Sequence, residues 1–142
     1  MLVGDLALVS AALFTGAAFY VNFAEQPARL GLDDRSLLVQ WKASYKRGYV
    51  MQSSLALLGS VLGIAAWWPS GSVASLFGAI LMFANWPWTL VAVMPTNRVL
   101  MATDPVSASG GSRALLMKWN GLHGVRTAFG ALATLSFLWA LA

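Results

Sequence analysis

The sequence predicts an all-α fold: an integral membrane four-helix bundle whose second and fourth helices continue as cytoplasmic helical extensions. Three observations predict it. Of 142 residues, 58% are apolar and 10% are charged, against about 25% charged in an ordinary soluble domain. Four apolar stretches each reach the roughly 20 residues that a helix needs to cross a hydrocarbon core. The polar residues between them form two long links on one side and one tight turn on the other. A single domain of residues 1–142 accommodates all of this.

The first span covers about residues 2–23, with Asp5 as its only charge. Its opening residues lack the basic start of a secretory signal peptide, so it reads as a permanent span. Asp5 complements the positive end of its own helix. The second span, about 49–68, and the third, about 72–93, are uncharged. Only Pro69-Ser70-Gly71 separates them, which forces an antiparallel hairpin. Gly59 and Gly63 form one Gly-x-x-x-Gly pair, read as close helix packing inside the bundle. The fourth span covers about 123–142, with Arg126 near its start. Trp67, Trp68 and Trp139 belong to an interfacial belt at the far end.

The links, residues 24–48 and 94–122, carry Arg29, Arg35, Lys42, Lys46, Arg47, Arg98, Arg113 and Lys118. With Arg126, all nine basic residues stand on one side. The positive-inside rule places that side in the cytoplasm and both termini on the non-cytoplasmic side of a multi-pass cell-membrane protein. The same asymmetry accounts for a pI near 10.0, so no nucleic-acid partner is needed to explain it. Asp33 and Asp34 are placed to cap a helix carrying Leu37, Leu38, Trp41 and Tyr45, with Gly48 as a bend. Ser112 is the candidate N-cap for Leu115, Leu116 and Trp119, and Asp104-Pro105 with residues 107–111 make a flexible loop. No internal repeat is visible. The absence of cysteine excludes disulfides, thiolate-held iron–sulfur clusters, cysteine nucleophiles and thioether-attached haem, while leaving the redox compartment undetermined.

Polar groups inside spans are costly, so they mark function. Asn22 and Glu25, three positions apart, share a helix face at the end of span one. Tyr45, Gly48, Tyr49 and Gln52 share a face at the entry of span two. Asn85, Trp86 and Thr89 lie in the inner half of span three, where Pro87 can kink the helix. Trp119, His123 and Arg126 lie on one face at the start of span four. All four helices therefore deliver polar groups to one level, and a pocket there is the economical inference. The bland alternative for Glu25 is an ion pair with Arg126 or Arg47 that merely holds the bundle.

These residues carry a resemblance. Asn22-Phe23-Ala24-Glu25-Gln26-Pro27-Ala28-Arg29, Trp41 with Lys46-Arg47-Gly48 and Gln52, Met94-Pro95-Thr96-Asn97-Arg98, and Trp119 with Leu122-His123-Gly124-Val125-Arg126-Thr127 resemble the anthrone oxygenase-like family of small membrane proteins. Their order and spacing fit across nearly the whole chain. The resemblance implies a four-helix membrane fold and oxygenase chemistry without a cofactor, acting on an anthrone-like or other activated cyclic carbon acid; it leaves the substrate unnamed.

Such oxidation needs a base, an oxyanion site and an apolar cavity that admits dioxygen. His123, with an ordinary pKa of about 6.5, is the candidate base. Arg126 and Asn97 are the candidate oxyanion donors, and Glu25 the group that orients the imidazole. Asn22, Tyr45, Gln52, Trp86, Trp119 and Arg47 complete the candidate binding surface for a small hydrophobic or aromatic substrate. Other readings stay open: a single metal ion on His123 and Glu25, with Tyr45 or Asp104 as a third ligand; haem on His123; a small-molecule binding or transport protein; a structural subunit; and self-association.

Overall fold

The computed structural model describes residues 2–142. Helix α1 runs Leu2–Leu30, α2 Asp34–Ser70, α3 Val73–Ala102 and α4 Gly110–Leu141; each is long and apolar enough to cross a membrane. A 3-10 turn, Pro105–Ser107, lies between α3 and α4. Neighbouring helices pack around a square, α1 on α2 and α4, and α3 on the same two.

Local chemistry sets the ends. Asp33 is the N-cap of α2, its Oδ1 accepting from the Ser36 amide at 3.0 Å, and that hydrogen bond holds its carboxyl below the usual range. At the other end Gly71 takes the left-handed conformation, φ 65°, that glycine adopts without steric cost. Ser72 then caps α3 by accepting from the Ser75 amide. The cap of α4 is Ser109, with Ser112 in the reciprocal position of a capping box. The expected cap at Ser112 is thus one turn late, because paired serines satisfy more of the free amides than either does alone.

The links are mostly helix. Helix α1 continues to Leu30 and α3 to Ala102, leaving only Gly31–Asp33 and Thr103–Ser109 outside the helices. Both connections are tied by basic side chains. Arg113 donates to Asp34 Oδ1 at 2.6 Å and to the Leu30 carbonyl at 2.8 Å. Lys42 donates to the Met101 carbonyl at 3.1 Å, supplying a partner at the open C-terminal end of α3. Helix α2 has 37 residues, so at 1.5 Å per residue it spans roughly 55 Å and outruns a hydrocarbon core of about 30 Å. It does so without a break at Gly48, where the sequence suggested a bend.

Two helices widen for one turn. Residues Val21–Glu25 of α1 and Thr89–Val93 of α3 are π-helical. Each segment is centred on the residue four before a proline, Phe23 before Pro27 and Val91 before Pro95. A proline ring collides with the carbonyl four positions back and cannot donate to it. The wide turn moves that carbonyl aside, and the Gln26 and Met94 amides reach back instead to the Val21 and Thr89 carbonyls. Pro87, the expected kink, sits within the regular part of α3.

Packing divides the bundle. In the half nearest the α2–α3 turn, Phe14, Met82 and Phe137 are buried among Ala7, Ala11, Ala18, Ala56, Ala79 and Ala133. Glycines seat the large side chains: a Cβ at Gly78 would lie 2.7 Å from the Phe137 ring, and one at Gly130 2.7 Å from the Phe14 ring. Gly59 and Gly63 meet Met82 and Phe137 in the same way. In the other half, Leu37, Leu38, Trp41, Leu100, Leu116 and Trp119 form a second cluster. The polar layer lies between them, and outward-facing Leu13, Val61, Phe83 and Leu135 are exposed, as lipid contact requires.

Candidate functional site

A cavity of about 370 Å³ opens between the two clusters, walled by all four helices. It brings together Glu25 from α1, Tyr45, Arg47 and Gln52 from α2, Asn97 from α3, and Trp119, His123 and Arg126 from α4. Tyr49, Thr89 and Val93 complete the inner wall. This volume is within the range of small-molecule sites.

His123 is 2% exposed and held on three sides. Its ring stacks on Trp119 at 4.9 Å between centroids. Nδ1 lies 3.0 Å from Asn22 Oδ1, and Nε2 lies 3.3 Å from Gln52 Oε1. The Asn22 amide is oriented from elsewhere: its Nδ2 donates to the Asn120 carbonyl at 2.9 Å and to Asn120 Oδ1 at 2.7 Å. A backbone carbonyl only accepts, so Asn22 Oδ1 must face the ring, where it also accepts from the Thr127 hydroxyl at 2.7 Å. The imidazole is therefore assigned its proton on Nδ1. That leaves the lone pair on Nε2, with the Gln52 side-chain amide 3.3 Å away.

Arg126 is 8% exposed, and its guanidinium lies 5.5 Å from the centroid of the Phe14 ring. Among the described residues no carboxylate pairs with it, and its Nε has no hydrogen-bond partner. Asn97 is 2% exposed, with Oδ1 unpartnered. Buried polar groups without partners are uncommon, and both of these residues line the cavity.

Two expected roles fall elsewhere. Glu25 does not orient the imidazole, nor does it pair with Arg126 or Arg47: it forms an ion pair with Arg29, one helical turn on, and accepts from Gln40 Nε2 at 3.2 Å. The π turn is the cause. It takes more residues per revolution than an α-helix, so Asn22 and Glu25 do not share a face: Asn22 turns to α4 and Glu25 to α2. Asn22 is accordingly absent from the cavity wall and acts behind His123. Trp86 is also off this wall. It lines a separate chamber of about 20 Å³ with Asn85, Ser53 and Arg126, room for a water-sized molecule and not for an aromatic ring.

Three residues outside the expected set support the site: Arg29, Ser44 and Thr127. Arg29 is 2% exposed and also donates to Ser44 Oγ at 2.9 Å. Its spacing of four from Glu25 is the usual helical ion-pair signal. As for metal ions, His123 and Glu25 line one cavity, but the Glu25 carboxylate is already paired with Arg29. No cluster of three His, Asp or Glu side chains forms among the described residues, and Asp104 is engaged by the Val106 amide.

Comparison with known families matches residues 41–136 to the family described as anthrone oxygenase. No curated protein and no solved structure matches the chain.

Proposed function

The chain belongs to the anthrone oxygenase family, and from that premise we propose that it is a membrane-embedded, cofactor-independent oxygenase of an anthrone-like or other activated cyclic carbon acid. The observation that supports this reading most directly is the pairing, on one wall of a buried cavity, of a fixed His123 lone pair with a buried Arg126 that has no counter-ion. His123 Nε2 takes a proton from the carbon beside or conjugated to the carbonyl. The resulting enolate oxygen is held by the Arg126 guanidinium and by Asn97, which lines the same cavity. Such preorganised donors are typically worth about 3 kcal/mol each. Trp119 and Tyr45 flank the ring system.

The electron-rich carbanion then reduces dioxygen itself. A carbon–oxygen bond forms, giving a hydroperoxide once protonated; removal of the second carbon-bound proton breaks the O–O bond and releases water. One CH₂ and one O₂ become one C=O and one H₂O, and the electrons balance with no other reductant. The family and the crowd of basic residues at the link end support a cell-membrane location with that end in the cytoplasm and both termini outside.

The test is dioxygen uptake by the purified protein in detergent on addition of anthrone. Uptake coupled to anthraquinone formation is expected, falling by about 10²- to 10⁴-fold in His123→Ala, the usual contribution of a general base. Undiminished oxidation by that variant would remove His123 from the chemistry.

A further inference from the structure

The residues that line the cavity differ sharply in exposure. Those from α3 and α4, Asn97, Trp119, His123 and Arg126 among them, are all buried. The exposed lining residues come only from α1 and α2: Tyr20, Arg47, Tyr49 and Met51. Arg47 and Met51 are one helical turn apart, and the small Ala17 and Gly48 stand beside them on the two helices. A Cβ placed on Gly48 would meet no atom within 4 Å. Tyr20 and Met51 stand exposed at this gap, and tyrosine collects at membrane interfaces.

Inside, the charge is unbalanced. Glu25 is neutralised by Arg29, which leaves the buried Arg126 and the rim Arg47 without an anion among the described residues. A buried guanidinium fork is built for an ionised oxygen, and a carboxylate fills it with two parallel hydrogen bonds. We propose that the cavity is filled sideways from the bilayer, through the opening between α1 and α2, by a membrane-dissolved aromatic acid or acidic phenol whose ionised oxygen is bound by Arg126. The proposal rests on reading this cavity as the binding site of the oxygenase, and it needs no turnover. The ring enters beside Gly48 and comes to rest against Trp119 and Tyr45. Arg47 meets the charged end first at the rim, and Arg126 holds it within.

The test uses 2-anthracenecarboxylate and its neutral amide of nearly equal size, with the protein in phosphatidylcholine nanodiscs and binding read by quenching of tryptophan fluorescence. The carboxylate is expected to bind at least tenfold more tightly than the amide. Arg126→Gln abolishes that preference and Arg126→Lys retains part of it. Gly48→Leu and Gly48→Trp, whose Cβ meets no atom within 4 Å, slow association of the carboxylate in that order, and a thermal melt of each variant checks that the fold is kept. Equal affinity of acid and amide for the unaltered protein would overturn the charge assignment. Association unaffected by either Gly48 variant would overturn the lateral route. Binding seen in phospholipid-free detergent but lost when phospholipid is added would give Arg126 to a lipid headgroup, and the proposal would fall. Because binding is read without chemistry, a failure to oxidise anthrone leaves this test intact.

Discussion

Replacing Asn22 with leucine removes a side chain that touches no substrate yet fixes the base. Four hydrogen bonds are lost: two to Asn120 at 2.9 and 2.7 Å, one from His123 Nδ1 at 3.0 Å and one from the Thr127 hydroxyl at 2.7 Å. The Asn120 carbonyl keeps its helical bond, and the Thr127 hydroxyl falls back on the His123 carbonyl, a long contact of 3.5 Å. The stranded group is the imidazole N–H, which costs about 1–3 kcal/mol, and with about 1 kcal/mol for the remaining bonds the loss of stability is about 3 kcal/mol. The effect on rate is separate. Without an acceptor at Nδ1 the proton is free to move to Nε2, and the ring is free to tilt from its stack on Trp119, a misplacement that costs about 10²-fold. Dioxygen uptake with anthrone, measured beside a thermal melt in the same detergent, separates the two. A leucine variant with unchanged kcat would refute the assignment of the ring proton.

Gly78→Leu drives a side chain into the Phe137 ring, which a bare Cβ already approaches to 2.7 Å; overpacking of this kind costs about 1–3 kcal/mol and should lower the melting temperature in detergent. Trp86→Phe should leave the KM for an aromatic substrate within about twofold, because Trp86 lies off the cavity wall; a tenfold rise would return it to the binding surface. Asp33 has its folded carboxyl below its unfolded value, so its contribution is complete above the ordinary carboxylate pKa and is lost as pH falls through the folded one. The protection factors of amides in the first turn of α2, taken relative to intrinsic exchange at each pH, should therefore fall on acidification, and Asp33→Asn should blunt that fall.

Hydropathy made the spans legible because lipid demands uninterrupted apolar runs, and depth along each span made the polar layer legible as well. Rotation about the helix axis was harder. Trp86 was placed at nearly the right depth and on the wrong side, since hydropathy reports depth and not azimuth. Asn22 and Glu25 were separated by a π turn whose cause, Pro27, stands in the sequence; a proline four positions beyond a polar residue inside a span is a usable warning. Arg29, one helical turn from Glu25, is the nearest cation in the sequence and takes that carboxylate ahead of Arg47 and Arg126. The two hairpins also share a device not visible as a repeat. Trp41 stacks on Tyr45 and Trp119 on His123, each at 4.9 Å, and the two tryptophans meet edge to face at 5.8 Å.

Phe137, seated against Gly63 and Gly78, blocks the bundle axis beyond the cavity, and this gives the molecule a handedness across the membrane. On the lateral route proposed above, whatever enters from one leaflet is returned to that leaflet, and the reactions that supply the substrate and take up the product work from that side. In vesicles reconstituted with both orientations, a substrate that does not flip would reveal only the molecules facing it. The rest would stay silent until detergent opened the vesicle, so the fraction of latent activity is a direct reading of the plug.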